Sequence, residues 1–284
     1  MLNRPLHFVE RLGEHDLEVL SGLHGSAPED LRKRLATDPE AVESHVTDPR
    51  LFDLLYDSPE TDTIRVISPS LAFAVLVYKT IDDLGSANYV PEWVGAGERL
   101  PVFDVDSLRE YIADVSRRWM LVDLLASFTR VASGSMLVET RRGYRRRRYS
   151  ELDLLSLAEL VQSLPAERRT AGYQRLGDVA LFLTGVFPDH TARHPLSGSR
   201  QARLARFTGV EGGEWSAAGE YLRFVEAAGR QSYDRAADGW FLSEDAKQTL
   251  HDLAANFTLA RRFLNYLADH YLHRYETGLM HPVA

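Results

Sequence analysis

The sequence predicts a mainly α, multi-helix globular protein with one small arginine-rich β-hairpin and an all-helical C-terminal region. Three observations carry this. Apolar residues recur at three- and four-residue steps along most of the chain. Side-chain caps followed by proline or by an apolar run mark the helix starts. One segment, 136–149, abandons helical spacing and reads as two short strands about a glycine turn. At 44% hydrophobic and 26% charged residues over 284 positions, the composition is that of an ordinary globular protein.

The order of elements follows from local chemistry. Asp38-Pro39, Asp48-Pro49 and Ser58-Pro59 each set an acceptor at an N-cap and a proline at the first helical position. They predict three short helices or turns. Ser68-Pro69 opens a stronger helix, Ser70 to Leu84, stopped by Gly85; its apolar residues lie nearly all round, as in a buried central element. Pro91, Gly95, Gly97 and Pro101 make 89–104 an irregular connection. Ser107 and Glu110 match a capping box, and the stripe Leu108, Tyr111, Ile112, Val115, Trp119, Val122, Leu125, Phe128 predicts one helix of about seven turns. The hairpin follows, strand 136–140 turning at Arg141-Arg142-Gly143 into Tyr144 to Tyr149. Beyond it, helices are predicted over 151–164, from Pro165 to about Phe187, over 201–207, over 215–236, and from a Ser243 cap to about Tyr275.

Charge gives the chain three regions. Residues 1–62 hold 14 acidic and 6 basic side chains and form an acidic short-helix region. Residues 63–150 are the helical segment with the basic hairpin, and 151–284 the all-helical remainder. A pI near 5.7 argues against a general nucleic-acid coat but allows a local basic surface. The absence of cysteine excludes disulfides, thiolate metal sites and cysteine nucleophiles. The longest apolar stretch, Leu71 to Tyr78, is far below the ~20 residues of a membrane span. No export signal is visible at the N-terminus, so the expected location is the cytoplasm and no membrane partner is expected.

The hairpin is the strongest functional pointer. It carries Arg141, Arg142, Arg145, Arg146, Arg147 and Arg148. Four consecutive arginines in a strand fall two to a face, and neither face can enter a core without burying unpaired charge. Guanidinium forks suit phosphate oxygens, and Tyr144 and Tyr149 could stack on bases. A helix followed by a basic two-stranded ribbon resembles the wing of a winged-helix domain. The resemblance is architectural and covers about 64–150. In such a domain the preceding helix would read bases, yet here its polar face mixes Arg109, Arg117 and Arg118 with Asp114 and Asp123, so backbone contact is expected rather than sequence readout. A second basic patch lies in 190–210, which has no acidic residue and carries Arg200, Arg203 and Arg206 at i, i+3 and i+6.

Other constellations are less specific. Asp189, His190 and His194, or Asp269, His270 and His273 with His251, could build a metal or proton-transfer site, although surface or capping roles are the better account of them. Asp82 and Asp83 lack the rest of a D-D-x-x-D motif and read as a polar helix end. Phosphate-loop, dinucleotide, esterase-elbow and zincin patterns are all missing. Gly172, Gly177 and Gly185 inside one helical pattern suggest close helix packing or space for a ligand.

Three functions are consistent with these residues. The first is a nucleic-acid-binding, DNA-regulatory protein using the Arg141–Arg148 hairpin with Arg200 and Arg203. The second is a helical enzyme or small-molecule binder using the C-terminal His and Asp residues. The third is an interaction protein whose acidic N-terminal region meets the basic hairpin in self-association. No cofactor and no metal are expected; the expected partners are nucleic acid and a second copy of the chain.

Overall fold

The computed structural model describes residues 4–57, 67–95, 97–130, 133–140, 143–211, 215 and 217–273. Among these are fifteen α-helices and two two-stranded sheets, so the mainly α class holds. The chain forms two compact units. The first takes its described residues from 1–90, 103–129 and 266–284, the second from 91–102 and 130–265.

The first unit contains α1 (Arg4–Glu10), α2 (Glu14–His24), α3 (Pro28–Thr37), α4 (Pro39–Val46), α5 (Pro49–Phe52) with a π turn at Asp53–Asp57, α6 (Pro69–Ser86), α7 (Asp106–Ala113) and α8 (Val115–Ser127). The predicted caps operate. The Asp38 carboxylate accepts from the amides of Glu40 and Ala41, Asp48 from Arg50, and the Ser68 hydroxyl from Leu71. Ser58-Pro59 lies outside the described residues. α6 is the central element: Leu71 through Tyr78 are all buried, and α8, α4 and α5 pack around it. Asp16, itself buried, ties two helix starts together, since its two oxygens accept from the Gly13 and Ser68 amides at 2.7 Å each.

The predicted seven-turn helix is two helices. Asp114 sits between them in an extended conformation (ψ 117°), and its side chain caps α8 through Ser116 N. Arginines occupy the carbonyls that the break exposes. Arg117 donates to Tyr111 O, and Arg118 to Ile112 O and Ala113 O. The stripe of the sequence is interrupted in burial at the break, where Val115 is exposed between the buried Ile112 and Trp119. The Ser107–Glu110 capping box does not form either; Ser107 Oγ donates to Asp104, and the residue before α7 is Val105.

The second unit holds β1 (Val90–Gly95, from Pro91 onward), β2 (Glu98–Val102), β3 (Ser133–Thr140), β4 (Gly143–Ser150), α9 (Leu154–Ser163), α10 (Ala166–Val186), α11 (Pro188–Arg193), α12 (Gly198–Thr208), α13 (Ala218–Ala237), α14 (Glu244–Ala255) and α15 (Phe257–Leu267, as far as Asn265). Here 89–104 departs from expectation, being a two-stranded sheet rather than an irregular connection. Both strands are edges, where proline's missing N–H costs little. Gly95 (φ 138°) and Gly97 (φ 81°) supply the turn conformations that side chains avoid. The predicted helix from Ser243 is likewise divided at Asn256, whose amide group turns back to Asp252. Its continuation ends in a π turn at Ala268–Leu272, and Tyr275 lies outside the described residues.

α10 against α13 is the spine of this unit. The three unusual glycines prove to be contact points. A Cβ on Gly172 would lie 2.6 Å from Val161, one on Gly177 2.6 Å from Tyr233, and one on Gly185 2.8 Å from Leu264. Close packing, rather than ligand space, explains them.

Candidate nucleic-acid interface

The arginine segment folds as read. β3 and β4 pair antiparallel along their whole length, from Ser133 opposite Ser150 to Thr140 opposite Gly143. Gly143 closes the turn at φ 108°, outside the range of ordinary side chains. Eight residues per strand make a ribbon roughly 27 Å long at about 3.4 Å per residue. Arg141 and Arg142, in the turn, lie outside the described residues. The register gives each face its members: Met136, Val138, Arg145, Arg147 and Tyr149 occupy positions of one face, and Leu137, Glu139, Tyr144, Arg146 and Arg148 of the other. All four of these arginines belong to β4, and β3 contributes no basic residue.

The second basic patch adjoins the root of this ribbon. Asp153 N donates to Ser150 O, the last residue of β4, and the Asp153 carboxylate caps α9 through the amides of Leu155 and Ser156. Arg200 on α12 donates to the other oxygen of Asp153 at 3.0 Å, and Arg203 donates to Glu159 on α9. Arg175 on α10 pairs with Glu151 at 2.6 Å in the same neighbourhood. The patch that looks uncompensated in sequence therefore has its carboxylates supplied from 47 and 44 residues upstream. Arg206 is exposed.

The helix that precedes the ribbon offers little to a phosphate. Arg109 donates to the carbonyls of Leu84, Gly85 and Ala87 and pairs with Asp106. Arg117 and Arg118 serve the α7 carbonyls, Arg118 also pairs with Glu43, and Asp123 pairs with Arg11. α8 belongs to the first unit and the ribbon to the second.

The histidine and aspartate groups do not assemble into a centre. Asp189 is engaged by the β1–β2 sheet, accepting from Trp93 Nε1 at 2.8 Å and from Arg99 at 3.2 Å. Burial opposes its ionisation, but Trp93 and Arg99 together hold its carboxyl below the usual carboxylate range. His190 and His194 stack at 4.4 Å, and burial followed by His194 depresses the His190 imidazole. His251 pairs with Asp234, while His270 bonds to Tyr266 O and stacks on Tyr266. Asp83 accepts from Lys79 at 2.5 Å and from Tyr271, which makes the Asp82-Asp83 pair a polar helix end. Among the described residues, no three His, Cys, Asp or Glu side chains are placed to hold a metal ion.

Two polar clusters had no sequence signature. In the first unit, Glu43 accepts from Tyr78 and Arg118 beside a cleft of about 360 Å³ that Phe52, Lys79 and Asp82 also line. In the second, Glu226 accepts from Arg230, Thr258 and Arg261, and although burial raises its pKa, these partners bring it below the ordinary glutamate value. Apart from the i,i+4 pair of Glu226 and Arg230, their members lie far apart in sequence and come together only once the helices are packed.

Comparison with protein-family models, with curated proteins and with solved structures finds no match for this chain. Among the described residues no helix is long and apolar enough to cross a membrane.

Proposed function

We propose that this chain binds nucleic acid, with the arginines of 141–148 contacting the phosphate backbone. The observation that carries the reading is the regular pairing of β4: Arg145 to Arg148 occupy consecutive extended positions, held over the full length of β3. An extended, doubly faced run of guanidinium groups has no core to enter and matches the spacing and charge of phosphates. The commitment of Arg109, Arg117 and Arg118 to main-chain carbonyls favours backbone contact over base readout.

The test is fluorescence anisotropy with labelled random-sequence nucleic acid at two salt concentrations, comparing the wild type with Arg145, Arg146, Arg147 and Arg148 all replaced by alanine. Each phosphate contact neutralised steepens the fall of log K with log salt by about 0.9. Salt-sensitive binding that disappears in the variant supports the reading. Wild-type protein that binds nothing at low salt refutes it.

A further inference from the structure

Building on the reading above, we infer that the ligand of the ribbon is a B-form DNA duplex, entered edge-on by β4 so that the two arginine faces meet the two phosphate walls of the major groove. The register supplies the argument. Arg145 and Arg147 hold positions of one face, Arg146 and Arg148 of the other. A ligand lying flat on one face would meet the positions of only two of these four arginines. A groove whose walls are both anionic uses all four.

The dimensions agree. The major groove of B-form DNA is about 12 Å wide and admits a two-stranded ribbon. The ribbon's two edges are also unlike. β4 carries every arginine outside the turn, while β3 carries Ser133, Ser135 and Glu139 and no cation. This asymmetry orients the insertion, with β4 leading and β3 trailing towards solvent.

The aromatic residues point the same way. Stacking platforms for single strands set aromatic side chains beside one another along a groove. Tyr144 and Tyr149 occupy positions on opposite faces, near opposite ends of β4, so neither face holds two aromatic positions. Duplex RNA has a deep, narrow major groove that side chains cannot read, unlike the wider groove of B-form DNA. Arg200 and Arg203 of α12 are left out of the footprint, because Asp153 and Glu159 already pair with them.

The experiment uses the full chain and three labelled probes of one mixed sequence: B-DNA duplex, single-stranded DNA and duplex RNA. Two double variants are compared with the wild type, Arg145→Ala with Arg147→Ala, and Arg146→Ala with Arg148→Ala. The duplex DNA is expected to bind most tightly, and each double variant to reduce the salt slope on it by about 1.8, two contacts at about 0.9 each. Circular dichroism and thermal unfolding, expected to match the wild type, check that the variants fold.

Loss confined to one pair would overturn the two-walled insertion, as would single-stranded DNA or duplex RNA binding as tightly as duplex DNA. Wild-type protein that binds none of the probes in a salt-sensitive way defeats the functional reading itself. The two failures are therefore distinguishable.

Discussion

Replacing Arg203 by alanine is expected to cost stability and to leave nucleic-acid affinity untouched, the reverse of what the charge pattern of 190–210 implies when taken alone. The Glu159 side chain is only 9% exposed, whereas that of Arg203 is 43% exposed. Removing one partner of a fully buried pair costs about 3–5 kcal/mol, and removing an exposed pair about 0.2–1 kcal/mol. A nearly buried carboxylate facing a half-exposed guanidinium falls between them, at about 2 kcal/mol. Arg200 and Asp153 are 44% and 34% exposed, so Arg200→Ala should cost only about 0.2–1 kcal/mol. Urea denaturation followed by circular dichroism measures the first quantity, and the salt slope on duplex DNA measures the second. A stable Arg203→Ala protein with a slope reduced by about 0.9 would refute the reasoning and return Arg203 to the binding surface.

Further expectations follow from the packing and the titratable groups. Gly177→Ala should destabilise by about 1–3 kcal/mol through overpacking despite a helix-propensity gain of about 1 kcal/mol, because Tyr233 is held against that position by its bond to Asp178; a stabilised variant in a denaturant titration would mean that the helices leave room there. Asp16→Ala should cost about 1–3 kcal/mol by stripping the Gly13 and Ser68 amides of their acceptor, with Asp16→Asn losing less; equal losses in thermal unfolding would contradict this. Asp189 has a lowered pKa, so its contribution is present above the ordinary carboxylate range and is lost as pH falls through its folded value. Tryptophan emission, reporting on Trp93, should therefore change on acidification below about pH 4, and Asp189→Asn should abolish that change. A change of the same size in the variant would assign it to another group.

Local chemistry was legible wherever one residue decided the outcome. Asp38, Asp48, Ser68 and Ser243 cap the helices they announce, and the all-round apolarity of 70–84 marks the helix buried at the centre of its unit. The ribbon was legible because 136–149 leaves helical spacing and turns about Gly143. What escaped was decided by partners distant in sequence. The breaks at Asp114 and Asn256 lie beneath apolar stripes that are unbroken in sequence, since periodicity registers residue type and not whether the axis continues; Val115, on the stripe at the first break, is exposed. The β1–β2 sheet hid behind Pro91 and Pro101, which a two-edged ribbon tolerates. At the candidate interface the same limit applies: 190–210 looks uncompensated only because its carboxylates, Asp153 and Glu159, belong to a helix more than forty residues earlier.

The interleaving of the two units has a consequence for how the protein comes into being. The chain passes between them four times, at 90–91, 102–103, 129–130 and 265–266. During synthesis the segment 91–102 emerges well before α11, whose Asp189 anchors it. The first unit is completed around Phe52 only when Tyr271 arrives to set its ring edge-on to it and bond to Asp83. Domains ordinarily fold as units, N-terminal first, as they leave the ribosome. Here neither can finish from its first segment alone: the first unit needs the residues from 266 onward and the second needs those up to Asn265, so their folding overlaps in time.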